Sequence, residues 1–299
     1  MHPVLFELPF GFPVRSFGVM LAAGFLLASW IFSRLVARHS QDPEGDVARY
    51  GAIPVWVLIG IVVGARLMYV LVEVLKGSLT GQEYLSSPLT ILKIWEGGLV
   101  MYGGLFGGLL GGWWCARKHQ IPLWHGTDIG LTAGWFGLAV GRIGCLLVGD
   151  DYGKVVPERW RHLPFPITLR VPYLDPGWVD ETGITRHLPE HSLFGEENAG
   201  KVLWATQPWM AINALLIALL GVWLLKRRAY PGQVALVIVL VYSITRFVIE
   251  MFRGDEVRGK WFSESLSTSQ IVSIAAGLVS LFLLVRWRKL RVAPPPGVK

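Results

Sequence analysis

The sequence has few charged residues for its length, and this shortage excludes most soluble folds. Charged side chains make up 16% of the 299 residues, whereas 53% of the residues are hydrophobic. A soluble globular domain has about a quarter of its residues charged. Apolar stretches of nearly twenty residues recur along the chain, and each could cross a bilayer core of about 30 Å. The composition therefore predicts an integral membrane protein.

Cysteines, a basic leader and metal-ligand spacings are also scarce or missing. Cys115 and Cys145 are the two cysteines, both in or beside apolar segments, so no disulfide framework is expected. Residues 1–10 have no basic n-region before their apolar run, so no cleavable signal peptide is expected. His162, His187 and His191 have neither partner cysteines nor the spacing of a metal site. Neither a metal nor any other cofactor is predicted.

Positive charge is in excess, but its placement argues against a nucleic-acid partner. The formal net charge is +7. Arginines and lysines gather at alternate ends of the apolar segments, a distribution that is typical of membrane orientation. The four clusters that we assign to the cytoplasm lie at 34–49, 117–119, 226–228 and 286–291. This assignment predicts an external N-terminus and a cytoplasmic C-terminus.

Hydropathy and turn residues predict an all-α integral membrane fold with about seven transmembrane helices. The helices cover roughly 17–32, 51–74, 99–117, 126–148, 208–225, 233–252 and 270–285. The polar segment between the fourth and fifth helices is then an external insertion, whose alternating stretch 165–173 predicts a strand. The chain is predicted to consist of a four-helix membrane part (1–148), an external cap (149–207) and a three-helix membrane part with a cytoplasmic tail (208–299).

Arg66, Arg142 and Arg246 interrupt apolar runs. A guanidinium stays charged at any accessible pH, and in hydrocarbon it is costly unless it has an anionic partner. Glu250 follows Arg246 by four residues on the same helix face, so a purely structural ion pair is one alternative. For Arg66, near a helix end, snorkelling to the headgroups is an equal alternative. Together the arginines predict a protein that handles an anionic ligand at the outer leaflet.

Glycine pairs recur through the third predicted span, at 97–98, 103–104, 107–108 and 111–112. Close packing of helices accounts for most repeats of this kind in membrane proteins. The functional alternative is that the outer pairs leave main-chain N–H groups and space for a lipid headgroup. Gly103 and Gly104 are candidates for that role.

Three motifs give the sequence a recognisable pattern. The first is Gly141-Arg-Ile-Gly, followed by an acidic pair and Gly153, and the others are the glycine-rich run 95–105 and the run 242–253. Together they resemble the prolipoprotein diacylglyceryl transferase family. In that family a Gly-Arg-x-Gly frame is followed by an acidic residue and a closing glycine. Tyr102 stands where members have histidine or tyrosine, and the run 242–253 resembles the sixth-span motif.

The sequence also departs from the family pattern. Phe17 stands where the family often has tyrosine, and Asp150 where many members have glutamate. The segment 205–209 keeps only Thr206 and Gln207 of a His-Pro-Thr/Ser-Gln-Leu-Tyr-Glu run. A divergent paralogue with altered substrates or reduced activity is therefore an open alternative.

The resemblance implies an enzyme of the bacterial inner membrane whose site faces the outer leaflet. It implies transfer of a diacylglyceryl group from phosphatidylglycerol to the lipobox cysteine thiol in the signal peptide of a prolipoprotein. A thioether forms and glycerol phosphate is released. Arginine suits the phosphate because it is permanently charged and can bind two oxygens. The predicted catalytic residues are Arg142, Arg246, Tyr102 and Asp150, and the predicted substrate-binding residues are Glu250, Gly103, Gly104, Gly153, Phe17 and Arg66.

The general base stays open among Tyr102, Asp150 and the departing phosphate. A thiol with a pKa of about 8.5 must lose its proton. A tyrosine, with a pKa of about 10, could accept it only if nearby arginines lowered that pKa. The rival class is a transporter or a lipid-binding paralogue that holds an anionic lipid without chemistry. The lack of an internal repeat and the convergence of charges on one leaflet favour the enzyme.

Overall fold

A computed structural model describes most of the chain. The described residues are 2–9, 12–40, 42–93, 97–173, 188, 191–255, 260–261 and 266–288. They belong to two compact units: a larger one made of Met1–Phe32 with Asp128–Lys299, and a smaller one made of Ser33–Thr127. His187, the start of the motif 95–105 and the end of the cluster 286–291 lie outside the described residues. The division into two membrane parts and a cap stays a prediction.

Nine α-helices occur in the described part of the chain. They are α1 (Ser16–Arg38), α2 (Pro43–Tyr50), α3 (Ile53–Lys76), α4 (Leu79–Ser86), α5 (Met101–Lys118), α6 (Leu123–Val148), α7 (Thr206–Leu225), α8 (Gln233–Glu250) and α9 (Thr268–Arg288). The strands form three antiparallel pairs: β1 (Val4–Leu8) with β2 (Phe12–Arg15), β3 (Thr168–Arg170) with β4 (Val202–Trp204), and β5 (Lys260–Trp261) with β6 (Leu266–Ser267). The strand predicted in 165–173 is present but shorter.

Each of the seven predicted spans corresponds to a helix, and the all-α membrane fold is confirmed. Among the described residues, six helices are long and apolar enough to cross a membrane: α1, the stretch Pro43–Lys76 that ends with α3, α6, α7, α8 and α9. The remaining predicted span is α5, an 18-residue helix. Its six glycines, two tryptophans and terminal Arg117 and Lys118 keep its mean hydropathy below that of the six candidate spans.

In the smaller unit, α3 and α5 pack with their main chains almost in contact. A Cβ atom added to Gly60 would lie 2.1 Å from the carbonyl oxygen of Gly107. A Cβ atom added to Gly64 would lie 2.3 Å from the carbonyl oxygen of Gly103. Only glycine permits such an approach between two helices. The packing interpretation is therefore confirmed for the glycine pairs within α5, and a headgroup contact at Gly103 and Gly104 stays a prediction.

In the larger unit, a buried ion pair joins α6 to the turn between α7 and α8. Arg228 Nη1 lies 2.7 Å from Asp128 Oδ2, and these side chains are 1% and 0% exposed. The Asp128 carboxylate also accepts hydrogen bonds from the N–H groups of Gly232 and Ala235, at 2.9 and 2.8 Å. A carboxylate suits this position because the first N–H groups of a helix have no partner within the helix. Asp128 therefore caps α8.

A small apolar core holds the segment between α6 and α7 together. It consists of Val171, Leu188, Phe194 and Leu203, all nearly inaccessible to solvent. Leu203 is on β4, which pairs with β3, so residues more than thirty positions apart meet in this core. The core joins the described residues before 174 to those after 190, and the Leu193 N–H donates to the Val148 carbonyl at the end of α6.

Candidate functional site

Charged side chains from the end of α6, the loop after it and the end of α8 meet within the larger unit. Arg142 on α6 forms an ion pair with Asp151, and Arg253 forms a second ion pair with the same carboxylate. Arg246 Nη2 lies 2.8 Å from Glu250 Oε2, and Arg253 Nη1 lies 3.7 Å from that oxygen. We refer to this group as the charged cluster; its members are Arg142, Asp150, Asp151, Arg246, Glu250, Arg253 and Asp255.

The charged cluster has a buried side and a more accessible side. The side chains of Arg246 and Glu250 are 10% and 1% exposed, whereas those of Arg142 and Asp151 are 17% and 20% exposed. Charges interact more strongly where water is excluded, because the local dielectric constant is lower. The Arg246–Glu250 pair is thus fixed in the protein, and the Arg142–Asp151 pair is the part that a ligand can reach more readily.

Arg142 and Arg246 also line one pocket, although they come from different helices. Its lining residues are Trp135, Leu138, Arg142, Met210, Asn213, Tyr242, Arg246 and Ile249. The Trp135 and Tyr242 rings pack with centroids 4.6 Å apart. Two guanidinium groups against apolar and aromatic side chains have the chemistry that an anion with hydrocarbon needs. The pocket, at about 10 Å³, has room for one water molecule and must widen to admit such a ligand.

The loop after α6 is held by two buried polar residues at the start of α7. The Thr206 hydroxyl donates to the carbonyl oxygen of Asp151 at 2.8 Å, and the Gln207 amide donates to that of Asp150 at 2.9 Å. Both Thr206 and Gln207 are completely buried. The Asp151 N–H donates to the Asp150 carboxylate at 2.9 Å. These bonds fix the main chain that carries the two aspartates.

The main chain at Gly153 lies close to two neighbouring segments, β4 and the residues just after α8. A Cβ atom added there would lie 2.2 Å from the carbonyl oxygen of Trp204. On the other side, Gly153 pairs with Arg253 in an antiparallel bridge, and the Gly254 N–H donates to the Tyr152 carbonyl at 2.9 Å. The closing glycine of the motif is thus required by packing between β4 and the segment that carries Arg253.

The two aspartates of the loop have opposite pKa shifts. Burial would raise the pKa of Asp151, but the charges of Arg142, Arg253 and Arg246 outweigh burial and hold that pKa below its ordinary value. Burial and then the charge of Asp151 raise the pKa of Asp150. Asp151 is therefore an ionised counter-ion, and Asp150 is the better proton acceptor of the two.

The charged cluster brings together four of the residues predicted from sequence: Arg142, Arg246, Glu250 and Asp150. Phe17 lies in the same unit, where its ring packs on α6 beside Gly144. Tyr102 lies in the first turn of α5, in the smaller unit. Its part in the site stays a prediction.

Arg66 does not snorkel; it binds the main chain that leads to α5. Its five N–H donors reach five carbonyl oxygens at distances of 2.7–3.2 Å, those of Thr90, Ile91, Lys93, Gly97 and Gly98. Gly97 and Gly98 have φ angles of +92° and +74°, which glycine adopts without strain. The snorkelling alternative is therefore wrong. A guanidinium has only five N–H donors, so this arrangement leaves none for a ligand.

Replacing Arg66 with alanine is expected to destabilise the protein by about 3 kcal/mol or more, because several buried carbonyl groups would lose their donor. Thermal unfolding of the detergent-solubilised protein measures the effect. Lys76→Ala is the control on the same helix, since the Lys76 side chain is 66% exposed and its ion pair with Glu73 spans 3.7 Å. Equal unfolding temperatures for Arg66→Ala and wild type would contradict the structural role.

Sequence reasoning did not select Asp151 and Arg253 as site residues. Arg253 lies three residues after Glu250 and seven after Arg246, a spacing that would place all three on one face of a continuous helix, although α8 ends at Glu250. That signal was present in the motif. Asp151 had no comparable signal, because its side-chain direction depends on a left-handed φ of +56°. In the sequence, Thr206 and Gln207 are recognisable only as the residues that persist from a family motif.

Comparison with known proteins identifies the family of the chain. The sequence model of the prolipoprotein diacylglyceryl transferase family matches residues 3–286. Three curated relatives carry the name phosphatidylglycerol–prolipoprotein diacylglyceryl transferase. The protein from Synechococcus elongatus is 30% identical over 91% of this chain and 85% of its own length. The proteins from Wolbachia pipientis and Geobacter sulfurreducens are 29% and 28% identical, over 95% and 98% of this chain and 94% and 98% of their own lengths. The chain is therefore a multi-pass membrane protein that belongs to the prolipoprotein diacylglyceryl transferase family.

Proposed function

We propose that this protein transfers the diacylglyceryl group of phosphatidylglycerol to the lipobox cysteine of prolipoproteins. The observation that carries this proposal is the pocket that Arg142 and Arg246 share. Two arginines from two helices, beside aromatic and aliphatic side chains, match the phosphate and the hydrocarbon of an anionic lipid. The relatives named after this reaction cover nearly the whole chain, which supports the same activity here.

The reaction forms one bond and breaks one bond at a glycerol carbon. The cysteine sulfur, after loss of its proton, attacks the carbon that is linked to the phosphodiester oxygen. The carbon–oxygen bond breaks, a thioether forms, and glycerol phosphate leaves with the electron pair. Arg142 and Arg246 stabilise the charge that develops on the leaving oxygen, and such preorganised donors lower a barrier by several kcal/mol. Glu250, 2.8 Å from Arg246, orients that guanidinium.

The thiol proton needs an acceptor, and three candidates remain. Asp150 gains support from its raised pKa, which burial and the adjacent Asp151 produce. Its ionised form is needed to accept a proton, so activity that depends on it falls as the pH drops through that raised pKa. Tyr102 and the departing phosphate are the alternatives.

The Tyr102→Phe substitution separates chemical help from packing. If the hydroxyl contacts the headgroup or moves a proton, turnover is expected to fall by roughly ten-fold or more. A ring that only packs would keep nearly full activity, because the volume hardly changes. Initial rates of peptide lipidation measure the effect, and Phe17→Tyr is a companion variant that adds a hydroxyl in the larger unit. Unchanged turnover in Tyr102→Phe would remove Tyr102 from the catalytic residues.

We further propose that the protein lies in the bacterial inner membrane with its site at the outer leaflet. The basic clusters at alternate helix ends support an external N-terminus and a cytoplasmic C-terminus. A reporter fused after Lys289 is expected to score cytoplasmic, and one inserted at Gly183 is expected to score external. Both reporters on the same side would contradict this orientation.

The activity is tested with purified protein, phosphatidylglycerol vesicles and a synthetic peptide that contains a lipobox cysteine. Mass spectrometry is expected to detect the peptide with one added diacylglyceryl group, and phosphate analysis to detect released glycerol phosphate. A Cys-to-Ser peptide and phosphatidylcholine vesicles are the matched controls. If the protein binds phosphatidylglycerol but never modifies the peptide, it is a lipid-binding paralogue or transporter instead.

A further inference from the structure

The arginines of the charged cluster already have anionic partners before any substrate arrives. Three arginines face four carboxylates, those of Asp150, Asp151, Glu250 and Asp255. Among the described residues, Asp151 is the one carboxylate within ion-pair distance of Arg142. A substrate phosphate that binds Arg142 must therefore compete with Asp151 for the same guanidinium.

Asp151 is the carboxylate best suited to be displaced. Its side chain is 20% exposed, whereas that of Glu250 is 1% exposed. Asp255 is 16% exposed, but its ion pair is with Arg253, not with Arg142. Asp151 also contacts Arg253, so a carboxylate that releases Arg142 keeps a positive partner. Displacement thus leaves no isolated charge, which would be costly at a partly buried site.

The main chain around Asp151 limits the exchange to a side-chain movement. The Thr206 hydroxyl holds the Asp151 carbonyl, and the Gln207 amide holds the carbonyl of the preceding residue. A side-chain rotation is small and fast, whereas a loop rearrangement is larger and slower. The exchange between carboxylate and phosphate can therefore take place in a fixed site.

We propose that Asp151 is an internal counter-ion of Arg142 that the phosphate of the lipid substrate displaces and that returns when glycerol phosphate leaves. This inference rests on the proposed function and adds a residue that sets affinity for the anion. It assigns Asp151 a positioning role, since it acts through Arg142 and not on the reacting atoms. Competition by Asp151 weakens the binding of substrate and product alike, and it speeds product release.

The test removes the charge of Asp151 and keeps its main-chain conformation. Asp151 has a φ of +56°, a region that asparagine tolerates and glycine adopts freely, so Asp151→Asn and Asp151→Gly are the variants. The measurements are KM for phosphatidylglycerol, kcat, and the inhibition constant of inorganic phosphate. Glu158→Gln is the matched control, because it removes one negative charge from the same polar segment at a side chain that is 87% exposed.

Both Asp151 variants are expected to bind inorganic phosphate about five-fold or more tightly than wild type, because a charge-assisted competitor has been removed. KM for phosphatidylglycerol is expected to fall with it, and kcat to fall as product leaves more slowly. Glu158→Gln is expected to match wild type in all three constants. A purely structural role for Asp151 would instead lower kcat without tightening phosphate binding.

Three results would overturn the inference. Unchanged phosphate binding in both variants would show that Asp151 does not compete for Arg142. A loss of kcat with unchanged or higher KM would show a structural role, and failure of both variants to fold would show that the carboxylate is not exchangeable. Inactive wild type would instead remove the proposed function, and calorimetric titration of inorganic phosphate into wild type and variants would still test the counter-ion.

Discussion

Replacing Arg142 with alanine is expected to lower lipidation turnover by about a hundred-fold or more, as does the loss of a donor to a developing negative charge in other enzymes. The physical reason is that the leaving phosphate would develop its charge in a pocket with one guanidinium fewer. Arg246→Ala is expected to have a similar effect, and it also leaves the buried Glu250 without its closest positive partner. Initial rates with saturating lipid and peptide measure the loss.

Lysine at position 142 separates charge from geometry. Arg142→Lys keeps one positive charge but loses the planar fork that binds two oxygens, so partial recovery is expected. Arg161→Ala is the control for charge removal outside the site, because the Arg161 side chain is 47% exposed and pairs with Glu158. Near wild-type turnover in folded Arg142→Ala would remove that residue from the site.

The second large effect is expected from Gly153→Ala, although only one methyl group is added. That methyl carbon would lie 2.2 Å from the Trp204 carbonyl oxygen and 2.8 Å from the Trp204 Cβ. Relief requires β4 to move away from the loop that carries Asp150 and Asp151. Overpacking of this kind costs about 1–3 kcal/mol, occasionally more, and turnover is expected to fall further because the charged cluster moves with the loop.

Gly134→Ala provides the matched control for this substitution. Gly134 is also in the larger unit, but a Cβ atom added there meets nothing within 4 Å. Alanine has a higher helix propensity than glycine, so this variant of α6 is expected to unfold at the same or a higher temperature. Thermal unfolding and lipidation rates of both variants test the packing argument. A Gly153→Ala protein as stable and active as Gly134→Ala would refute it.

The helices could be predicted from sequence because the bilayer imposes a length and a hydrophobicity on each span. The span at α5 was predicted from hydropathy and turn residues like the others, and its glycine spacing separately indicated close packing against another helix. That packing is what the approach of Gly107 to Gly60 shows. Local patterns of this kind can be recognised in a single sequence, which is why the predicted helix positions agree closely with the observed ones.

The pairing of charges could not be predicted in the same way. The motif placed the acidic role at Asp150, but the neighbouring Asp151 forms the ion pairs with Arg142 and Arg253. The left-handed φ of Asp151 directs its side chain toward the arginines, and no periodic pattern in a sequence indicates such a backbone angle. The partners of Arg66 could not be predicted either. They are main-chain carbonyl groups, which every residue has, so the sequence does not distinguish them.

The contacts of the segment at the start of α7 explain which of its residues the site needs. Thr206 and Gln207 are the residues that persist from the family run, and they are the ones that hold the loop carrying Asp150 and Asp151. Trp209 packs its ring against Phe252 with centroids 5.4 Å apart. The retained residues therefore serve the charged cluster directly, and the change around them is compatible with a working site.

The buried pair of Asp128 and Arg228 has a consequence for the order in which the chain is made. One hundred residues separate the two, and at 5–20 residues per second the ribosome needs about 5–20 s to reach the second after the first. During that interval α6 carries an unpaired aspartate near its first turn, where the cost of insertion is below the roughly 2.5–3.5 kcal/mol of a helix centre. Helix α6 is thus committed to the bilayer before the residue that neutralises it exists. The start of α6 can be anchored by this ion pair only late in biogenesis, after the turn between α7 and α8 has been synthesised.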